Sequence, residues 1–227
     1  MKKILFVLSA LVCSAAGLSA QQVVITHDYS AFSGVQTSNS FDLSFMPSDH
    51  YSIKITADTA LEDYILAYVK EGVLVLEVDE KGMPSDVKKE FKAKNNAAPA
   101  VKAVIFAPKF NFLVLGGNSS VTSEHTIDTD LFSITASKSA VVSRLGIKAE
   151  KILVNISNKA KVYANCEASS SLTVNAEHNS LADLKIKTGT LDVSSCNFAV
   201  VELVGDADGI RMSSEGNSKI EYNNVRP

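Results

Sequence analysis

From about Val101 onward, apolar residues stand two apart and are interrupted by Asn, Lys, Ser and Gly, and the whole pattern returns every 19 or 20 residues. Small anchors mark the repeat: Ser120, Ala140, Ala160, Ser180, Ala199 and Ser218. Six residues before them lie Val114, Ile134, Val154, Val174, Val193 and Met212, and eight before lie Phe112, Phe132, Ile152, Leu172, Leu191 and Ile210. Thr122, Val142, Val162, Ala182, Val201 and Ile220 follow two residues after. A period of two inside a period of about 20 describes two short strands per repeat joined by a turn. One coil cannot bury its own apolar face, so coils stack, with equivalent residues about 4.8 Å apart. The small anchors fit tight corners. Asn118, Lys138, Asn158, His178, Asn197 and Gly216 beside them are corner residues, since Asn and Gly tolerate left-handed backbone.

The preceding stretch reads differently. Phe41 to Phe45 and Tyr51 to Ala57 alternate about Pro47-Ser48-Asp49 and predict a hairpin. Thr59-Ala60-Leu61-Glu62 has the spacing of a capping box opening a short helical turn. A second hairpin turns at Glu71-Gly72 and returns along Val73 to Val78. Residues 79–100 are Lys-rich and polar, with Val87 and Phe91 one helical turn apart, and predict a surface excursion with a little helix.

Met1-Lys2-Lys3, an apolar run from Ile4 to Val12, and small residues ending at Leu18-Ser19-Ala20 predict a secretory signal peptide over 1–20, with the mature chain starting near Gln21. The run is too short for a membrane span, which takes roughly 20 residues. A lipidated Cys13 fits less well, because the branched Val12 precedes it. No later segment is long and apolar enough to cross a bilayer as a helix. Losing two lysines leaves 20 basic residues against 25 acidic ones, a net charge of −5 for the mature chain. That acidic balance, without a basic stripe, argues against a nucleic-acid partner. Only Cys166 and Cys196 remain after processing; in an oxidising compartment they could pair or stay free.

Several of these segments together resemble a known family. Phe32-Ser33-Gly34-Val35, Phe41-Asp42-Leu43-Ser44-Phe45, Tyr51-Ser52-Ile53-Lys54-Ile55-Thr56-Ala57, Glu71-Gly72-Val73-Leu74-Val75, and Val104-Ile105-Phe106-Ala107-Pro108 leading to Leu115-Gly116-Gly117-Asn118-Ser119-Ser120-Val121 are similar to the GIN domain, the head domain of auto-transporter adhesins common in Bacteroidetes-type bacteria. The likeness runs from about Phe32 to Tyr222. It implies an all-β, right-handed β-helix-like solenoid of about six 20-residue coils, preceded by β-hairpins with one short helix. The expected organisation is a β-rich module at 21–100 and solenoid repeats at 101–227, forming one continuous domain.

Motifs for chemistry are sparse. His27, His50, His125 and His178 have no ligand spacing, and no nucleophile elbow, phosphate loop or paired-cysteine metal motif occurs. Gly205-Asp206-Ala207-Asp208-Gly209 lacks the further acids of a calcium loop and reads as a turn between coils. Asp58-Thr59-Ala60 resembles a short bacterial O-glycosylation motif, against the role of Thr59 as a helix cap. Neither a cofactor nor a firm metal site is expected. The column three residues after the anchors reads Ser123, Ser143, Tyr163, Asp183, Glu202 and Glu221 and should face outward. Tyr163, Asp183, Glu202 and Glu221 form a candidate ligand patch for a cation or a sugar, with Lys185 on the same strand face and Lys219 at the opposite-facing position of the last coil as partial neutralisers. Two classes of function follow. One is an exported, non-enzymatic binding module of the cell envelope, its partner a glycan or surface protein, in the periplasm or at the cell surface. The other is a β-helix-type carbohydrate-active enzyme, which needs carboxylates with a base on one outer face.

Overall fold

The computed structural model describes residues 21–224; the signal-peptide expectation at 1–20 and the Cys13 alternative lie outside them. Its N-terminal part holds strands β1 (Gln22–Asp28), β2 (Gly34–Thr37), β3 (Phe41–Pro47) and β4 (Ser52–Asp58), a 3-10 turn (Thr59–Tyr64), β5 (Ile65–Lys70), β6 (Val73–Val78), helix α1 (Ser85–Ala97) and β7 (Val101–Ala107). Then come β8 (Phe112–Leu115), β9 (Ser120–Thr122), β10 (Ile127–Asp128), β11 (Leu131–Ala136), β12 (Val141–Ile156), β13 (Lys161–Glu177), β14 (Leu181–Cys196), β15 (Val200–Glu215) and β16 (Lys219–Asn224). The fold is a β-solenoid of about six coils, as the repeat predicts, with all strands in one continuous sheet.

Each long strand bends once, so every coil contributes to two walls that face each other across the core. In one wall the order is β6, β2, β8, β11 and then the second halves of β12 to β15, all parallel. In the other it is β7, β3, β9, the first halves of β12 to β15, and β16. Alternation does the sorting: in β13, Val162, Ala164, Cys166 and Ala168 are buried, the strand turns outward at Ser169 and Ser170, and Leu172, Val174 and Ala176 are buried again. Each buried Val or Leu contributes about 1.5–3 kcal/mol.

The corners between the walls are tight turns in left-handed backbone. Asn158 and Lys159 have φ of 55° and 72°, His178 and Asn179 of 53° and 60°, and Asn197 and Phe198 of 54° and 66°. Ala160 N–H donates to Ser157 O at 3.2 Å and Ala199 N–H to Cys196 O at 3.2 Å, closing these turns. The anchors Ala140, Ala160 and Ala199 are fully buried there.

In the first repeat the register is displaced by one residue. Val142 pairs with Val121 and Ile134 with Leu113, a spacing of 21, so Leu113 and Leu115 point inward where Phe112 and Val114 were expected. Ser119 is therefore the first anchor, and Gly117 (φ 65°) takes the corner expected at Asn118. Phe112 lies outside instead, its ring over Gly34, where any Cβ would sit 2.1 Å from it.

The N-terminal pairing also departs from expectation. β5 and β6 form the antiparallel hairpin at Glu71-Gly72. The strands of the other expected hairpin, β3 and β4, do not touch: β7 lies between them, parallel to β3 and antiparallel to β4. β6 and β7 thus make a coil whose corner is expanded into α1, and this coil stacks on the coil β2–β3, which stacks on β8–β9. β5 on one wall, and β4 with β1 on the other, close this end with antiparallel strands. Helix α1 is longer than the polar composition suggested and is held by Phe91, 2% exposed, and by Lys94, whose ammonium lies 2.7 Å from Asp58. Asp58, not Thr59, caps the 3-10 turn, accepting from Ala60 N–H at 3.1 Å. The Thr59 hydroxyl donates to Gln21 O at 2.7 Å instead.

Among the described residues the far end stays open. β16 covers only the first half of β15, so Ile210 and Met212 are 43% and 39% exposed although they continue the columns of Leu191 and Val193, each 1% exposed.

Candidate functional site

The outer acidic column exists. Tyr163 pairs with Asp183, Asp183 with Glu202, and Glu202 with Glu221, so the three carboxylates stand on adjacent strands of one face, with Tyr163 half-buried at its edge. Ser123 is not part of it. That residue is buried, its hydroxyl 3.3 Å from Phe45 O and 3.0 Å from His125 O, because the one-residue displacement puts Thr122 beside Ser143. Lys185 sits two residues along from Asp183 on the exposed face, as expected. Lys219, expected to face away, lies on the same face as Glu221 and pairs with it. The hydrogen bond that Lys219 donates to Glu221, with the charges of Glu221 and Glu202, raises the Lys219 pKa above the ordinary lysine value. Among the described residues no group of three or more His, Cys, Asp or Glu side chains is arranged to hold a metal.

A second ladder lies where the long strands bend. Asp128 pairs with Lys148, Lys148 with Glu167, Glu167 with Lys187 and Lys187 with Asp206, five residues of alternating sign on successive coils. Lys148 Nζ is 3.8 Å from Asp128 Oδ2. Spacings of about 4.8 Å make the ladder roughly 19 Å long. It forms one bank of a groove of about 710 Å³, with Asp130, Glu150, Ser169, Gly189 and Asp208 opposite and Ala149, Ala168 and Thr188 as a floor of small residues. Six carboxylates and two ammonium groups give the groove a formal charge of −4. Gly205 to Gly209, expected as a turn between coils, is in fact the bend of β15, paired with Ile186–Thr190, and places Asp206 and Asp208 in the groove. A constant offset from the anchors misses this ladder. The displaced first repeat and the bulge at Ser143 and Arg144 (φ 52°) shift the register, so its members fall nine residues after Ser119, eight after Ala140 and seven after Ala160, Ser180 and Ala199.

The cysteines are free and separated in the ladder, Cys166 beside Ile147 and Ile186, Cys196 beside Glu177 and Glu215. Burial pushes the Cys166 thiol up to about 12, so it packs as an apolar group.

A two-walled parallel stack of coils displaying charged ladders defines the β-solenoid class, and no helix among the described residues is long and apolar enough to cross a membrane. Residues 31–170 match the family described as "Putative auto-transporter adhesin, head GIN domain", and the chain belongs to that family. Its fold is similar to that of a putative adhesin from Bacteroides fragilis (15% identity, 90% of this chain and 98% of that one, TM-score 0.62). It is also similar to a putative adhesin from Parabacteroides distasonis (14%, 89% and 97%, TM-score 0.57) and to a putative lipid binding protein from the same species (16%, 90% and 97%, TM-score 0.52). At these identities the likeness concerns the fold alone. No curated protein matches the sequence.

Proposed function

We propose that the chain is an exported, non-catalytic, adhesin-like binding module of the cell envelope whose solvent-facing ladders contact a glycan or a surface protein. The observation that carries this reading is membership of the adhesin-head family. It is supported by side chains repeated on a rigid ladder, which suit a partner that is itself extended and repetitive. The test is adherence: purified residues 21–227 applied to glycan arrays and to immobilised surface proteins should bind a defined subset, and protease treatment of intact cells should remove the native protein. Failure to bind either class, with the protein inaccessible in intact cells, overturns the reading. The acidic ladder has its own test. If a cation bridges Asp183, Glu202 and Glu221, calcium raises the melting temperature and Glu202→Gln abolishes the rise; equal melting with calcium and with a chelator removes the cation's role.

The groove gives the enzymatic alternative a specific footing, because carboxylates and lysines do share one outer face. Release of reducing ends from polysaccharides by wild type, lost in Glu167→Gln, would replace the binding reading.

A further inference from the structure

The corner between the two walls is regular from Ser137 onward, yet where it meets the end of α1 it opens into a separate concavity of about 550 Å³. Three stacked corners build its wall: Ser38-Asn39 of the β2–β3 coil, Gly117-Asn118 of the next, and Lys138-Ser139 of the one after; Asn95 and Asn96 of α1 complete it. Gly117 lets two of these corners approach closely, since a Cβ on it would lie 2.7 Å from Asn39 Cβ and 2.8 Å from Ser38 O.

The polar groups here divide into two sets. Asn39 and Asn118 are framework: Asn39 Nδ2 donates to Glu80 Oε1 at 2.8 Å, Asn118 Oδ1 accepts from Ser40 N–H at 3.0 Å, and Asn118 Nδ2 donates to Asn95 O. These bonds fix the helix end to the solenoid. By contrast, the exposed side chains of Asn96, Lys138 and Ser139 have no hydrogen bond or ion pair within the described residues. Among those residues, the two buried side-chain atoms without a partner are Asn95 Oδ1, on a residue that lines the concavity, and Ser40 Oγ, on the residue next to Asn39. Buried polar atoms ordinarily find partners, and an orphaned carboxamide oxygen on a residue lining a polar cavity marks a place where a water or a ligand hydroxyl completes the network.

We infer that this junction is a binding site for a single acidic sugar residue. Its volume is that of a small-ligand site. Carboxamides present a donor and an acceptor side by side, which matches adjacent sugar hydroxyls, and Lys138 supplies a positive charge for a carboxylate. The inference rests on the adhesin-like reading and gives it a ligand class at a place apart from both ladders.

The test is titration of residues 21–227 with glucuronic acid and N-acetylneuraminic acid, with glucose as the neutral comparison, followed by amide shifts in NMR. The acids should bind, shifting the amides of residues 95, 96, 117 and 138, and glucose should bind at least 10-fold more weakly. Lys138→Gly should abolish the preference without lowering the melting temperature, because φ at Lys138 is already 63°. Asn96→Ala should weaken binding of the acids by at least 3-fold. No binding of either acid, shifts confined to the groove, or an unchanged preference in Lys138→Gly overturns the inference. If the protein still adheres to cells or matrix with Lys138→Gly and Asn96→Ala combined, only the pocket assignment falls; if wild type adheres to nothing, the adhesin-like reading falls with it.

Discussion

The regular coils after Ser137 and the irregular coils before Leu115 share the same parallel ladders and the same kind of core, but they are reached by different routes through the chain. In the regular part each residue pairs with another 19 or 20 positions on, as Val154 does with Val174 and Val174 with Val193. In the irregular part Phe41 pairs with Val101 and Val35 with Leu113, 60 and 78 positions away. Identical local geometry is thus obtained once by repetition and once by insertion. The excursion between Asp79 and Ala100 enlarges one corner, while β4, the 3-10 turn and β5 fill the space where another coil would bend. Stability should depend on the shared ladder, not on the route.

The largest effects would break that equivalence. Val154→Asp and Val35→Asp each place an unpaired charge at a fully buried position, one in each region, and each should cost more than about 3 kcal/mol. Chemical denaturation should show one transition for both variants. If Val35→Asp leaves the unfolding of the later coils unchanged, the two regions are independent and the comparison fails. Next in size is Gly205→Ala, where the Cβ would meet Ile186 O at 1.9 Å with φ at 142°; a backbone neighbour cannot rotate away, so a loss of about 2 kcal/mol is expected in the melting curve. Gly34→Ala meets the Phe112 ring first, a side chain that can shift, and should cost less than Gly205→Ala.

Smaller still is the anchor of the inserted helix. A hydrogen bond from Lys94 lowers the Asp58 pKa, so its contribution is present above the unfolded carboxylate value and is lost as pH falls through the folded one. Lys94→Met should therefore lower stability by less than about 1 kcal/mol at pH 7, the pair being partly exposed, and the difference from wild type should shrink as pH falls below the ordinary carboxylate range. The smallest effect is a gain. Lys159 holds φ at 72° without being glycine, and Lys159→Gly should stabilise the corner by about 0.5 kcal/mol, measurable as a small rise in melting temperature.

What the sequence displayed follows from the same contrast. Where the chain repeats, one column of residues specifies strand, face and partner together, which is why the period alone is enough to put Tyr163, Asp183, Glu202 and Glu221 on one face. Where it does not, alternation in Phe41–Phe45 and Tyr51–Ala57 specifies two strands and their faces but not that Val101–Ala107 separates them. Proximity in sequence favours a hairpin, and nothing local opposes it. Single-residue events were equally silent. The 21-residue first repeat moved Ser123 from surface to core, and the bulge at Arg144 hid the alternating ladder of Asp128, Lys148, Glu167, Lys187 and Asp206. The pocket beside Lys138 was invisible because the period connects only Asn118 and Lys138, while Ser38, Asn39, Asn95 and Asn96 come from a coil and a helix outside the repeat.

The insertion of β7 between β3 and β4 also sets an order of assembly. Loop closure costs more entropy as the intervening chain lengthens, and contacts between distant residues form late. Coils between Leu131 and Asn224 need only their immediate neighbours, so each completed turn offers the next one a template as the chain advances. The β2–β3 coil, though nearly first in the chain, must wait for residues 73–107 on one side and 112–122 on the other. Pulse-labelled hydrogen exchange during refolding should accordingly protect the amides of residues 152–204 before those of 34–47. Until that closure the strand edges of β2 and β3 stand unpaired beside their apolar faces, and during folding this early segment, not the repetitive one, is where the chain is most open to misassociation.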